Sequence, residues 1–68
     1  MIDDIIIDLT EKERDVMGLM FELAMVWGYT AEEIEEALIR LEGAGKVRGW
    51  FVDTTIPDMP MPMIEAVQ

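Results

Sequence analysis

The segment from Thr30 to Gly45 constrains the fold more than any other part of this sequence, because it carries both a helix start and a helix stop. Thr30 followed three positions later by Glu33 has the form of a capping box, in which each side chain accepts a hydrogen bond from the other residue's backbone amide. Gly43-Ala44-Gly45 supplies the small residues that commonly end helices. The stripe predicted to be buried consists of Ile34, Ala37, Leu38 and Leu41, and the solvent-facing side consists of Glu32, Glu33, Glu35 and Glu36.

An alternating stretch from Lys46 to Asp53 predicts a strand directly after this helix. Val47 and Phe51 fall on one face of this strand. The other face holds Arg48, Trp50 and Val52. A strand that follows a helix without a linker requires a second strand to pair with it, and the next residues are the candidates.

The segment from Met59 to Ile64 is predicted to return as that second strand after a turn at residues 54–58 that contains Pro57. Pro60 and Pro62 are two residues apart, so their missing N–H groups would face one side and place the strand at an edge of the sheet. The sequence thus predicts a C-terminal β-hairpin. The same segment also fits an extended, polyproline-like tail.

The N-terminal segment Ile2–Leu9 is predicted to be a short strand, because apolar and acidic residues alternate over most of its length and Ile is abundant. Thr10 and Glu13 then have the spacing of another capping box. We therefore expect a helix from Glu11 to about Trp27, ended by Gly28.

This first predicted helix has two apolar faces separated by a narrow polar stripe. One face is formed by Val16, Leu19, Met20, Leu23 and Trp27, and the other by Met17, Phe21 and Met25. A domain of 68 residues without Cys buries little surface and commonly relies on self-association. We expect Met17, Phe21 and Met25 to form a homodimer interface.

These elements predict a single α+β domain over residues 1–68, in the order strand–helix–helix–strand–strand with a C-terminal β-hairpin. Residues 30–49, with the pattern Ala37-Leu38, Leu41-Glu42, Gly45, Val47 and Gly49, resemble the recognition helix and wing of winged helix-turn-helix domains. Residues 9–17 look like the first helix of that family. The resemblance spans residues 9–53 and implies a winged-helix-like fold whose middle helix is missing, unless the first helix breaks near Gly18.

Several classes of chemistry are excluded by composition. The chain contains no Ser, Asn, His or Cys, so it lacks Ser and Cys nucleophiles, histidine acid–base groups and Cys/His zinc ligands. The acidic residues lack the spacing of a calcium loop, and Gly43-Ala44-Gly45-Lys46 departs from the pattern of a phosphate-binding loop. We expect no enzymatic activity and no cofactor.

The charge balance indicates a protein partner. Five Lys and Arg against fifteen Asp and Glu give a net charge of −10, which favours rapid encounter with a basic partner. The residues predicted to bind it are Glu32, Glu33, Glu36 and Ile39 on the second helix and Trp50 on the hairpin. In a sharper form of this hypothesis, the helix carboxylates imitate nucleic-acid phosphates and occupy a nucleic-acid-binding groove as an inhibitor.

A DNA-binding transcriptional regulator is the alternative that the winged-helix resemblance implies. Its contacts would come from Arg40, Lys46 and Arg48, near the wing. Against it, the recognition helix of that family usually presents Lys, Arg, Asn, Gln or Ser, whereas this helix presents carboxylates that repel phosphates. Arg40 and Lys46 also suit a structural role at the negative end of the helix.

A cytoplasmic location without membrane attachment is expected. The sequence begins with acidic residues, unlike the basic start of a secretory signal. The longest apolar stretch, from Val16 to Trp27, contains Glu22 and is shorter than the roughly 20 residues of a membrane-spanning helix.

Overall fold

The computed structural model describes residues 1–55 and 58–67, and within them the chain forms three helices and one three-stranded antiparallel sheet. The elements in chain order are α1 (Ile2–Leu9), β1 (Arg14–Asp15), α2 (Val16–Met25), α3 (Ala31–Gly43), β2 (Val47–Val52) and β3 (Met61–Ala66). Strand β3 lies between β1 and β2. The α+β class is therefore confirmed, whereas the predicted turn at Pro57 falls outside the described residues.

Helix α3 is confirmed together with both of its ends. The Thr30 hydroxyl accepts from the Glu33 amide at 3.1 Å, and the Glu33 carboxylate accepts from the Thr30 amide at 3.0 Å. At the other end, the Lys46 amide donates to the Leu41 carbonyl and the Gly45 amide to the Glu42 carbonyl, the pattern of a Schellman motif. Gly45 adopts a φ of 72°, a left-handed conformation that favours glycine.

The N-terminal segment is a helix, so the predicted strand is wrong. Ile2, Ile5, Ile6 and Leu9 recur at helical spacing, and Ile6 is fully buried in the core. The alternation that favoured a strand was already interrupted at Ile6. Burial of one helical face outweighed the weak preference of β-branched residues for strands.

Thr10 ends α1 instead of starting the next helix, so the predicted helix from Glu11 to Trp27 is also wrong at its beginning. The buried Thr10 hydroxyl donates to the Ile6 carbonyl at 2.7 Å, which places it at the C-terminus of α1. Helix α2 begins after Asp15, whose carboxylate accepts from the Gly18 amide at 2.6 Å. The helix does not break near Gly18.

The order strand–helix–helix–strand–strand is corrected accordingly. The described part of the chain runs helix–strand–helix–helix–strand–strand, with three helices instead of the two predicted. The long predicted first helix reduces to α2, and β1 pairs with β3 through Arg14 opposite Ile64 and Asp15 opposite Met63. A strand of two residues leaves too short a pattern to be recognised from sequence.

The C-terminal hairpin of β2 and β3 is confirmed, with Val47 opposite Ala66 at one end and Val52 opposite Met61 at the other. Strand β3 is the central strand, so the edge position predicted for it is wrong. Pro62 is compatible with this position because β1 pairs only with Met63 and Ile64.

One core joins all three helices to the hairpin. Its buried members are Ile6, Leu19, Leu23, Ile34, Ala37, Leu41, Val47 and Ile64. Phe51 shares a face with Val47 but is 71% exposed, because β2 extends past this core. Among the helices described, none combines the length and apolar character needed to cross a bilayer.

Candidate protein-interaction surface

The outer face of α3 carries most of the predicted partner-binding residues. Glu32, Glu36 and Ile39 follow one another at helical spacing and are exposed, since Ile34 and the rest of the buried stripe turn to the opposite side. Ile39 is 73% exposed, an apolar side chain among carboxylates. Glu33 is also exposed, and its carboxylate is engaged in the capping box. The four predicted helix residues therefore lie on one accessible element.

Arg40 belongs to the contact between α3 and α1. Its Nη2 lies 2.6 Å from Asp3 Oδ1 and its Nε lies 3.2 Å from Asp3 Oδ2. The hydrogen bond from Arg40 holds the pKa of the Asp3 carboxyl below its usual range, and the same bond raises the pKa of Arg40. Arg40 therefore forms its salt bridge with α1, and the charge of Glu36 also contributes to the raised pKa of Arg40. The exposed carboxylates of the outer α3 face outnumber this one cation, so the face stays acidic.

Trp50 lies on a different surface from the α3 residues. Side chains alternate along a strand, so Trp50 projects from the sheet face opposite to Val47, which packs in the core beneath α3. The Arg48 guanidinium stacks over the Trp50 ring at 4.8 Å from its centroid and contacts Glu65 at 2.7 Å. The structure thus does not bring Trp50 to the acidic face of α3.

The three cations of the alternative nucleic-acid site differ in whether they are free to contact a phosphate. Arg40 and Arg48 are each held by a carboxylate, Asp3 and Glu65 respectively. Lys46 is exposed and forms no salt bridge with any residue that the structure describes. A contact to phosphates would therefore have to rest on Lys46 or displace an existing ion pair.

The apolar outer face of α2, formed by Met17, Phe21 and Met25, is open to solvent. These side chains are 67%, 67% and 69% exposed. The apolar surface continues through Val26 and Trp27 beyond the helix end. Trp27, predicted to cover the core, is half exposed because α2 ends at Met25. The three residues predicted to form a dimer interface therefore make one continuous stripe.

A groove of about 350 Å³ runs between α2 and the start of α3. Its lining is almost entirely apolar and consists of Met17, Met20, Phe21, Ala24, Ala31 and Ile34. We call this the α2–α3 groove. The sequence did not reveal it, because its walls come from two helices whose relative position is set by tertiary packing; Ala24 and Ala31, the small residues that open it, carry no signal of their own.

Neither a metal-binding cluster nor a similar protein of known function points to a further site in the described residues. Among residues 1–55 and 58–67, no group of three or more acidic side chains is arranged to hold a metal ion. No protein-family model, curated protein or solved structure matches this chain. Its function is therefore to be inferred from the chemistry of its surfaces.

Proposed function

We propose that this chain is a small, acidic, non-enzymatic interaction module that binds a basic protein partner through the outer face of α3. The observation that carries the proposal is the exposed set Glu32, Glu36 and Ile39, whose neighbouring cation Arg40 forms its salt bridge with Asp3 of α1. Carboxylates steer and orient a basic partner, and the exposed apolar side chain at the C-terminal end of their row supplies the anchor.

A winged-helix-like arrangement is part of this proposal. Three helices followed by a β-hairpin support it, with α3 in the position of the recognition helix. Because that position carries Glu32, Glu33 and Glu36 in this chain, the carboxylates suit the basic groove of a nucleic-acid-binding protein. In its sharper form, the module is an inhibitor that imitates phosphates.

Self-association completes the proposal. The exposed stripe of Met17, Phe21 and Met25 is uncharged, and two copies can cover it by packing their α2 helices together. The acidic face of α3 lies outside this stripe.

Binding of a fluorescently labelled polylysine peptide tests the acidic face, with Glu32→Lys and Glu36→Lys as variants and Asp4→Lys as control. Asp4 is exposed on α1, so its replacement changes net charge as Glu32→Lys does without touching the α3 face. We expect salt-sensitive binding that both α3 variants weaken and the control retains. Equal binding by Glu32→Lys and Asp4→Lys would show that the peptide responds to the net charge of the protein and not to the α3 face.

A DNA-binding regulator remains the second candidate, favoured by the exposed Lys46 beside the hairpin. Anisotropy of labelled mixed-sequence duplex DNA, at low and physiological salt, separates the two candidates. Salt-sensitive binding that Arg48→Glu abolishes and Glu33→Ala retains would establish the regulator. Under the interaction-module proposal, the duplex does not bind even at low salt, because the chain carries a net charge of −10.

A further inference from the structure

The α2–α3 groove is a concave apolar site on an otherwise strongly acidic protein. Its volume of about 350 Å³ is enough for two or three large apolar side chains, and its lining includes Met17, Met20 and Phe21. Methionine side chains are flexible and polarizable, so they adapt to apolar groups of different shape. A groove of this kind suits the apolar side of a helix laid along it.

Charge is distributed asymmetrically around the groove. On the α3 side, Glu35 lies one turn after the groove residue Ala31. Glu32 is three residues before Glu35 and neighbours it on the exposed surface of the helix. On the α2 side, the outer face carries no charge, because Glu22 is the single charged residue of that helix and pairs with Arg14 at 3.1 Å. The groove therefore has an apolar floor, one acidic wall and one neutral wall.

Two of the chain's five cations, Arg14 and Arg40, are located at helix sides that face away from this site. Arg14 contacts Glu22, which lies on the side of α2 away from Met20 and Ala24. Arg40 lies nine positions after Ala31, which is about two and a half helical turns and hence the opposite side of α3. Neither of these two cations forms a salt bridge with Glu32 or Glu35.

We infer that the α2–α3 groove binds a basic amphipathic helix of a partner protein. Apolar side chains spaced one turn apart on that helix enter the groove, and Lys or Arg on its flank contact Glu32 and Glu35. The inference rests on the proposed function, since it specifies the secondary structure and binding mode of the basic partner. It also joins two surfaces, the apolar α2 and the acidic α3, in a single contact.

Charge complementarity favours this occupant over a second copy of the chain. A second copy brings another net charge of −10 and an α2 helix without a free cation, so its approach is opposed by repulsion. A basic helix supplies the missing positive charge. Met17 and Phe21 belong to both the groove and the stripe proposed for self-association, so the basic helix displaces a second copy on binding.

The experiment uses a labelled leucine–lysine amphipathic peptide as the probe and a scrambled peptide of identical composition as its control. The decisive protein pair is Phe21→Glu and Phe51→Glu, which are the same substitution at positions 67% and 71% exposed, in the groove and on the hairpin respectively. Met17→Glu is a second groove variant if Phe21→Glu fails to fold by circular dichroism. Glu35→Lys and Asp8→Lys form a matched pair for the acidic wall, since Asp8 is an exposed acid on α1.

We expect Phe21→Glu and Met17→Glu to weaken binding of the amphipathic peptide by at least about tenfold, while Phe51→Glu binds as the wild type does. Glu35→Lys weakens it by about fivefold or less and Asp8→Lys less still. The scrambled peptide binds more weakly than the amphipathic one. Light scattering during the titration shows any self-associated protein converting to a complex of one chain with one peptide.

Other results overturn the inference, and they also distinguish its failure from that of the proposed function. If both groove variants bind the peptide normally but Glu32→Lys does not, the partner contacts the outer face of α3 alone, and the proposed function stands. If neither polylysine nor the amphipathic peptide binds, the proposed function and the groove inference both fail. If the protein stays dimeric throughout the titration without binding peptide, while Phe21→Glu is monomeric, the occupant is a second copy.

Discussion

Helices α2 and α3 both bury an apolar face in the same core, but their solvent-facing sides differ in charge. Leu19 and Leu23 of α2 and Ile34 of α3 are buried side by side in one core. Outward, α2 presents an uncharged stripe, whereas α3 presents carboxylates around Ile39. Because burial determines only the inner half of each helix, the outer halves are where a function can be encoded. The apolar outer face of α2 is unlike the polar surface that a solvent-exposed helix usually presents, whereas the acidic face of α3 is of the usual kind.

The core face of α2 is tested by Leu23→Ala, for which we expect the largest loss of stability. Leu23 is fully buried, so the truncation leaves a cavity and lowers the free energy of unfolding by about 2–5 kcal/mol. Ile39→Ala, at a position of α3 that is 73% exposed and outside the proposed dimer interface, changes it little. Urea denaturation followed by circular dichroism measures both. Similar losses in the two variants would mean that burial of Leu23 is not what makes it important for stability.

The outer face of α2 is tested by Met25→Glu, which introduces a charge into the stripe outside the groove lining. We expect self-association to weaken by about tenfold or more, because a buried carboxylate at the interface has no partner. Met59→Glu is the control, since Met59 is 66% exposed and lies away from α2, before β3. Sedimentation equilibrium gives the association constants. A wild-type protein that is monomeric at micromolar concentration would contradict the dimer.

The start of α3 is tested by Thr30→Ala, which removes one side of the capping box. The Glu33 amide loses its acceptor, and the free energy of unfolding should fall by about 1 kcal/mol. Thr55→Ala, at an exposed position outside the helices and strands, is the matched control. Thermal unfolding of the two variants decides the outcome. An unchanged midpoint for Thr30→Ala would show that the tertiary contacts of α3 make its cap dispensable.

The smallest effect is expected where α3 meets α1, at the partly exposed pair of Arg40 and Asp3. Arg40 lowers the pKa of Asp3 in the folded state, so the pair stabilises the fold above the unfolded-state pKa of Asp3 and this contribution is lost as pH falls through the lower folded-state pKa. Asp3→Asn should therefore be slightly less stable than wild type at neutral pH and equal to it at a pH below both pKa values. Urea midpoints across this range measure the difference. A constant difference at all pH values would exclude the ion pair as its cause.

Sequence reasoning succeeded where the signal was local. The capping box of Thr30 and Glu33, the glycine stop and the alternation in β2 each depend on neighbouring residues, and the exposure of Met17, Phe21 and Met25 follows from helical periodicity. The acidic α3 face was predictable for the same reason.

Reasoning failed where distant segments decide the outcome. Ile2–Leu9 is a helix because its apolar face packs on the core. Thr10 lies at the C-terminus of α1, where its carbonyl accepts a hydrogen bond from the Ala66 amide at 2.8 Å. The two-residue β1 exists only through its pairing with β3. The separation of Trp50 from α3 and the existence of the groove likewise depend on how elements pack, which periodicity does not contain.

The pairing of β1 with β3 has a consequence for synthesis on the ribosome. Arg14 and Asp15 are synthesised about fifty residues before their partners Met63 and Ile64. The Thr10 carbonyl likewise has no access to the Ala66 amide until β3 has left the exit tunnel. The segment before α2 therefore cannot reach its final structure until β3 has been made, and a polypeptide cut short before residue 61 would expose this segment to cellular proteases without its pairing to the sheet.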